Sequence, residues 1–218
     1  TAYATAGEAP RRSRTAALAG WALAALLLLA LVATWLRRPP PVEAPTRRYT
    51  VSFPADLSYF NFAGMEIAIS PDGSRFLYPG GPARDKSEFI LQERDQLAGR
   101  ILPGMTNAFS PVFSPDGRRI AFRDQRFGAL KVISLDGSTP TTLLDSLPGF
   151  LNGGLAWGGD GYIYAAGTKG TRGILFRIPE TGGAAEPVTE ADSTAGTVGH
   201  IGPVSLPGGR GIVFRSPW

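Results

Sequence analysis

The chain has 218 residues, a formal charge of +4 and no cysteine, with 28 glycines, 19 prolines and 18% charged residues. No disulfide framework or thiolate metal site can be built without cysteine, and abundant Gly and Pro with sparse charge suit turn-rich β structure better than helical bundles. Residues 1–48 carry seven arginines against Glu8 and Glu43, a balance of +5, which leaves −1 for residues 49–218. The folded part therefore lacks the basic surface of a nucleic-acid binder, and no nucleic-acid partner is expected.

In chain order, residues 1–14 read as a juxtamembrane linker. Thr15 to Leu36 follows as TAALAGWALAALLLLALVATWL, without a charge. At a rise of about 1.5 Å per residue a helix of that length reaches roughly 33 Å, enough for the hydrocarbon core of a bilayer. Trp35 stands beside Arg37 and Arg38, as an interfacial anchor would. A cleaved signal has a shorter apolar region, and a buried core helix would show a polar face. The expectation is one transmembrane helix over 15–36, hence a single-pass membrane protein. Arginines flank both ends, so charge alone leaves the orientation open.

Residues 37–48, RRPPPVEAPTRR, form a Pro/Arg-rich stalk. Its four prolines (Pro39, Pro40, Pro41 and Pro45) block helix and favour an extended spacer.

From residue 49 to 218 the sequence repeats itself. Ser70-Pro71-Asp72-Gly73 recurs as Ser114-Pro115-Asp116-Gly117, then as Gly158-Gly159-Asp160-Gly161 and Leu206-Pro207-Gly208-Gly209. Asp72, Asp116 and Asp160 are spaced by 44 residues, and the fourth copy comes 48 later. In each turn proline pre-sets φ, aspartate accepts local hydrogen bonds and glycine tolerates positive φ. A first strand precedes each turn: EIAI (66–69), FSPVF (109–113), GLAW (154–157) and GPVS (202–205). A second follows it: RFLY (75–78), RIAF (119–122), YIYA (162–165) and GIVF (211–214). Third strands are read in EFILQE (88–93), LKVISL (130–135) and ILFRIP (174–179), and fourth strands in GRILP (99–103), PTTLLD (140–145) and AEPVTE (185–190).

Phe76 and Tyr78, Ile120 and Phe122, and Ile212 and Phe214 lie two apart and share a face; a one-residue deletion places Ile163 and Ala165 there in the third copy.

Four strands per repeat of this period match a propeller blade. The expected fold is all-β: a partial β-propeller of four-stranded antiparallel blades, about 3.5 of them, preceded by one transmembrane α-helix. The repeats are incomplete at the C-terminus, so the sequence is expected to be a piece of a longer chain.

The repeats, above all AFSPVFSPDGRRIAF and ALKVISLDGSTPTTLL, resemble TolB-type (WD-repeat-like) bacterial propeller repeats over roughly residues 60–218. The wider layout of arginine-flanked helix, proline stalk, RRYTVSFP opening and blades is similar to the region after the catalytic domain of bacterial receptor serine/threonine kinases. That resemblance implies a propeller on the extracytoplasmic (periplasmic) side of the cell membrane and a kinase on the other. The segment itself carries no glycine-rich phosphate loop, H-R-D or D-F-G. Similar repeats precede the hydrolase domain of prolyl-oligopeptidase-like peptidases and make up periplasmic TolB, but the chain has no G-x-S-x-G elbow.

No catalytic, cofactor-binding or metal-binding residue is assigned. His200 is the only histidine, so no triad or multi-histidine metal site can be assembled within the chain; it reads as a loop or inter-blade residue. Pro71, Asp72, Gly73, Pro115, Asp116, Gly117, Asp160 and Gly161 are assigned to structural turns rather than to a carboxylate metal site. The run Gly167–Gly173, with Lys169 and Arg172, reads as a solvated loop, with anion binding as the sharper alternative. Phe76, Tyr78, Phe109, Phe113, Phe122 and Trp157 read as core. The functional expectation is a non-catalytic module that binds a protein or small-molecule ligand at the propeller loops; the alternatives are the N-terminal propeller of a membrane-anchored peptidase or a TolB-like interaction protein.

Overall fold

The computed structural model describes residues 14–36, 58–59, 67–81, 88–124, 128–149, 153–190 and 199–216. The remaining parts of the predicted linker 1–14 and of the stalk 37–48 lie outside them. The chain divides into two compact units, residues 1–50 and 51–218.

In the first unit α1 runs Arg14–Leu36, 23 residues without an acidic first turn or a basic last turn. Its sequence from Thr15 is Ala- and Leu-rich, with strong helix formers throughout. Leu18, Trp21, Leu23, Leu26, Leu27, Leu28, Leu29 and Leu31 are all exposed, so the apolar surface runs around the whole circumference. Side chains are described for Leu18 and residues 20–33, and among the described residues no helix is long and apolar enough to cross a membrane.

The second unit is a series of antiparallel sheets. The first contains β1 (Ser58–Tyr59), β2 (Ala68–Ile69), β3 (Arg75–Gly81), β4 (Glu88–Glu93) and β5 (Arg100–Leu102), ordered β1-β3-β4-β5 with β2 also on β3. The second runs β6 (Ala108–Phe113), β7 (Arg119–Asp124), β8 (Leu130–Ser134), β9 (Thr141–Leu144), and the third β10 (Leu155–Trp157), β11 (Tyr162–Lys169), β12 (Arg172–Pro179), β13 (Glu186–Pro187). Both are simple meanders in sequence order. A two-stranded hairpin follows, β14 (Ile201–Ser205) with β15 (Ile212–Arg215).

The predicted strand order is therefore observed in each repeat. The first sheet departs in one respect: Ser58–Tyr59 and Ala68–Ile69 both pair with β3, at Gly80–Gly81 and at Phe76–Leu77, so two segments share the place of one first strand.

Alternation along the strands decides which sheet each side chain meets. Ile120 and Phe122 of β7 pack with Leu77, Phe89, Leu91 and Leu102 of the first sheet, while Ala121 between them joins Leu155, Trp157, Ile163 and Ala165 of the third. The second sheet is thus buried between its two neighbours, as a blade is. Ile163 and Ala165 occupy the place of Ile120 and Phe122, where the one-residue deletion puts them. Tyr78, Phe109, Phe113, Phe122 and Trp157 are buried and Phe76 is half-buried.

A second repeated feature lies in the first strands. Ser110 (φ 48°), Gly154 (φ 81°) and Gly202 (φ 62°) each stand six residues before the third residue of their turn, and all three are left-handed. The ladder shifts register at this point in the second sheet and in the terminal hairpin, as at a β-bulge. Glycine serves that backbone freely; the serine carries a strain cost.

Candidate functional site at the channel mouth

The turns hold their shape through a serine as much as through the aspartate. In the first turn Ser70 Oγ donates to Asp72 Oδ1 at 2.6 Å and accepts from the Arg75 amide at 2.9 Å. The Ser74 amide donates to Asp72 Oδ1 at 3.0 Å, and the Gly73 amide to the Ser70 carbonyl at 2.8 Å. The second turn repeats the set: the Arg119 amide donates to Ser114 Oγ at 2.9 Å, Ser114 Oγ to Asp116, and the Arg118 amide to Asp116 Oδ1 at 3.0 Å. Gly73 and Gly117 take φ 68° and 67°. The serine hydroxyls and the neighbouring backbone amides lower both aspartates, Asp72 well below the usual carboxylate range.

In the third turn Gly158 replaces the serine, and Asp160 turns to the Tyr164 hydroxyl at 2.6 Å. Burial, with that carboxylate second, pushes the phenol up to about 12. The loop is also shorter: the Gly158 amide donates to the Tyr162 carbonyl, two residues after Asp160, whereas Ser70 reaches Arg75 and Ser114 reaches Arg119. Pro71, Asp72, Gly73, Pro115, Asp116, Gly117, Asp160 and Gly161 therefore sit at three homologous corners of three sheets, and their hydrogen bonds are those of turns.

The first strands of successive sheets lie side by side, β2 against β6, β6 against β10, β10 against β14. This brings the four turns together around a cavity of about 670 Å³. Pro71 and Pro115 come from the first two turns, Val112 and Phe113 from β6, Trp157 from β10, and Leu206 and Pro207 from the fourth turn. None of the described residues that line it is charged. The volume falls within the range of small-ligand and peptide-anchor pockets.

Charged groups lie behind this wall and pair with one another. Arg75 Nε meets Glu93 at 3.0 Å, and its Nη1 donates across to the Gly117 carbonyl of the next turn at 3.2 Å. Arg119 Nη2 meets Glu180 at 3.2 Å in the third sheet, and Trp157 Nε1 donates to the same carboxylate oxygen at 2.9 Å. The Arg119 guanidinium stands 4.9 Å from the Trp157 ring centroid. Arg75 and Arg119 occupy the same repeat position, which the sequence shows as R-F and R-I after the turn; that repetition is the signal for their role, and turn-based reading passes over it.

The Gly167–Gly173 run is almost entirely strand. β11 and β12 pair through Lys169↔Arg172, leaving Gly170 (φ 64°) and Thr171 as a two-residue hairpin turn instead of a solvated loop. Lys169, Arg172, Thr189 and Glu190 line a 420 Å³ recess there, so a carboxylate already sits among the cations. His200 lies between the third sheet and the terminal hairpin: its amide donates to the Gly173 carbonyl at 3.1 Å and its ring stands 4.6 Å from that of Phe214. Its Nδ1 is buried without a hydrogen-bond partner. Among the described residues no group of three or more His, Asp or Glu could hold a metal ion.

No protein-family model and no curated protein matches the chain. Solved structures do. TolB from Agrobacterium tumefaciens superposes with a TM-score of 0.58 at 21% identity, over 68% of this chain and 52% of that one. Oligogalacturonate lyase from Vibrio parahaemolyticus gives 0.51 at 13% identity, over 69% and 44%. A puromycin hydrolase gives 0.50 at 14% identity, over 70% and 25%. The chain spans about half the length of that TolB or less of the others. These likenesses show the fold, a set of TolB-like β-propeller blades.

Proposed function

We propose that the chain is a non-catalytic, membrane-anchored propeller module that binds an extended apolar segment of a partner protein at the channel mouth. The observation that carries this reading is the wall itself: four turns from four repeats converge on a cavity lined by proline, leucine, valine, phenylalanine and tryptophan, with no charged side chain among its described lining. Prolines and an aromatic in a concave surface suit extended, proline-containing peptide. The described lining residues include no histidine or carboxylate, which supports a binding role over general acid–base chemistry.

Anchoring rests on the sequence alone, on the charge-free run of residues 15–36. The layout of helix, proline stalk and blades supports the extracytoplasmic part of a bacterial receptor serine/threonine kinase as the wider setting. The alternative setting, a propeller preceding a hydrolase domain, is supported by the likeness to the puromycin hydrolase, of which the chain covers 25%.

The binding test titrates the full chain in detergent with a proline-containing apolar dodecapeptide, using Leu206→Asp as the control. Leu206 is 41% exposed, so the variant changes the mouth without opening the core. Saturable binding by the parent, weakened about ten-fold or more in the variant, is expected for one buried charge against an apolar ligand. Equal binding, or none by either protein, contradicts the reading.

A further inference from the structure

We infer that Arg119 and Glu180 are positioning residues of the channel mouth, acting together as a clasp that fixes the Trp157 ring in its wall; this rests on the mouth being the binding site. Three observations meet at one point. Trp157 lines the cavity although its side chain is only 2% exposed, so it presents a narrow part of its ring to a ligand. Its indole N–H is held by Glu180 at 2.9 Å, and the face of the ring by Arg119 at 4.9 Å. Arg119 and Glu180 close the triangle at 3.2 Å.

The clasp spans two blades. Arg119 opens β7 of the second sheet, whereas Trp157 ends β10 and Glu180 follows β12 in the third. A tryptophan has two side-chain torsions, and an indole fixed at its N–H and across its face keeps a single orientation. The ring orientation is therefore tied to the spacing of the two blades. The clasp sets the shape of the cavity without entering it, since neither Arg119 nor Glu180 lines it.

In the first blade the homologous arginine, Arg75, instead bonds Glu93 within its own sheet and the Gly117 carbonyl of the next. No tryptophan stands at the position equivalent to Trp157, which is Phe113 in the second repeat and Ile69 in the first. The aromatic clasp is particular to the second and third blades among the described repeats.

The absence of cysteine supplies the test. Ser205→Cys places one thiol in the cavity lining on β14, the strand beside β10, and a bimane label there is quenched by a nearby indole; Trp157→Phe sets the unquenched level. In the full chain without peptide, Glu180→Ala is expected to move the bimane signal toward that level. Glu180→Gln, which keeps an oxygen to accept the indole N–H, is expected to stay near the parent. The same apolar dodecapeptide then reads the consequence. Its affinity is expected to fall about five-fold in Glu180→Ala, the equivalent of one lost hydrogen bond, and to recover in Glu180→Gln.

Glu186→Ala breaks an exposed pair on the same blade, Arg177–Glu186, and should leave both signals at the parent value. Bimane signals identical in Glu180→Ala and the parent overturn the clasp. An altered bimane signal with unchanged peptide affinity overturns its role in binding. A parent that binds no peptide at all contradicts the site reading on which the clasp rests, whatever the ring does.

Discussion

The second sheet and the terminal hairpin carry the same turn and strand pattern, yet their apolar residues meet different surroundings. In the second sheet Ile120, Ala121 and Phe122 are at most 1% exposed, because one face of β7 packs on the first sheet and the other on the third. In the hairpin β14 packs against the third sheet, and Pro203 on that side is buried, but Val204 and Val213 are 61% and 53% exposed. Val204 and Val213 are cross-strand partners and share the opposite face. A blade's apolar residues thus acquire their burial from the next blade, and a repeat contributes stability in proportion to how many neighbours it has.

The largest effect should come from breaking the packed side of that comparison. Phe122→Ala removes a fully buried ring and is expected to cost about 3–5 kcal/mol in denaturant unfolding of the second unit. On the uncovered face of the hairpin, Val213→Ala, at the position homologous to Ala121, is expected to stay within about 0.5 kcal/mol, since about half of the residue is already in solvent. Similar costs for the two would contradict neighbour-derived burial.

The inner-strand bulge sharpens the comparison at the level of backbone. An added Cβ at Gly154 meets nothing nearer than 3.7 Å, so any penalty is conformational, from φ 81°. Gly154→Ala is expected to cost about 1 kcal/mol. Ser110→Gly, the reverse exchange at the homologous site, should fall within about 0.5 kcal/mol of the parent, because relief of strain offsets the gain in unfolded-state entropy. Thermal unfolding of the pair, measured side by side, checks both.

The turns offer a smaller contrast between intact and degenerate copies. Asp116→Asn is expected to cost about 1 kcal/mol at pH 7 through weaker acceptance from Ser114 and Arg118. A carboxyl depressed in the folded state contributes fully above its unfolded pKa, about 3.9, and loses that contribution as pH falls through the folded value. The difference between parent and variant should therefore hold above about pH 4, shrink as pH falls below it, and disappear only once the folded value has been passed. A difference that persists undiminished in acid would assign it to packing.

Smallest of all is the effect at Tyr164, where no serine is available and the phenol substitutes as donor to Asp160. Its raised value means that any stabilisation is complete below the ordinary tyrosine pKa of about 10 and is lost as pH rises through about 12. Burial also raises Tyr78, so ultraviolet titration should show one late-ionising phenol fewer in Tyr164→Phe than in the parent. The same late ionisation in parent and variant would place it elsewhere.

Much of this architecture is legible in the residues. The 44-residue spacing of Asp72, Asp116 and Asp160 sets the repeat, and the two-residue alternation of Ile120 and Phe122 sets their common face. The deletion that brings Ile163 and Ala165 into register is visible as well. Alternation states that Phe76 and Tyr78 share a side, but it has no means of naming the sheet on that side; the cluster with the second sheet receives Leu77 instead. The segment 58–59 is not legible, because two residues carry no periodicity, whereas 68–69 falls within the expected first strand 66–69. The Gly167–Gly173 run misleads for a related reason: its glycines resemble a loop, whereas five of its seven residues extend a long hairpin. The mouth was foreseeable only as a place. Its uncharged lining, and the Arg119–Trp157–Glu180 contact behind it, join residues 38 and 23 positions apart that no local pattern connects.

The most direct test of the stacked-blade account is native-state hydrogen exchange on the 218-residue chain. Amides of β7, β8, β11 and β12 are expected to be the slowest, and those paired within β14–β15 to exchange at least about ten-fold faster, a gap of ~1.4 kcal/mol in opening free energy. Protection in β14–β15 equal to that in β7 would contradict the account, since a hairpin packed on one sheet among the described residues would then be as stable as a blade held on both sides.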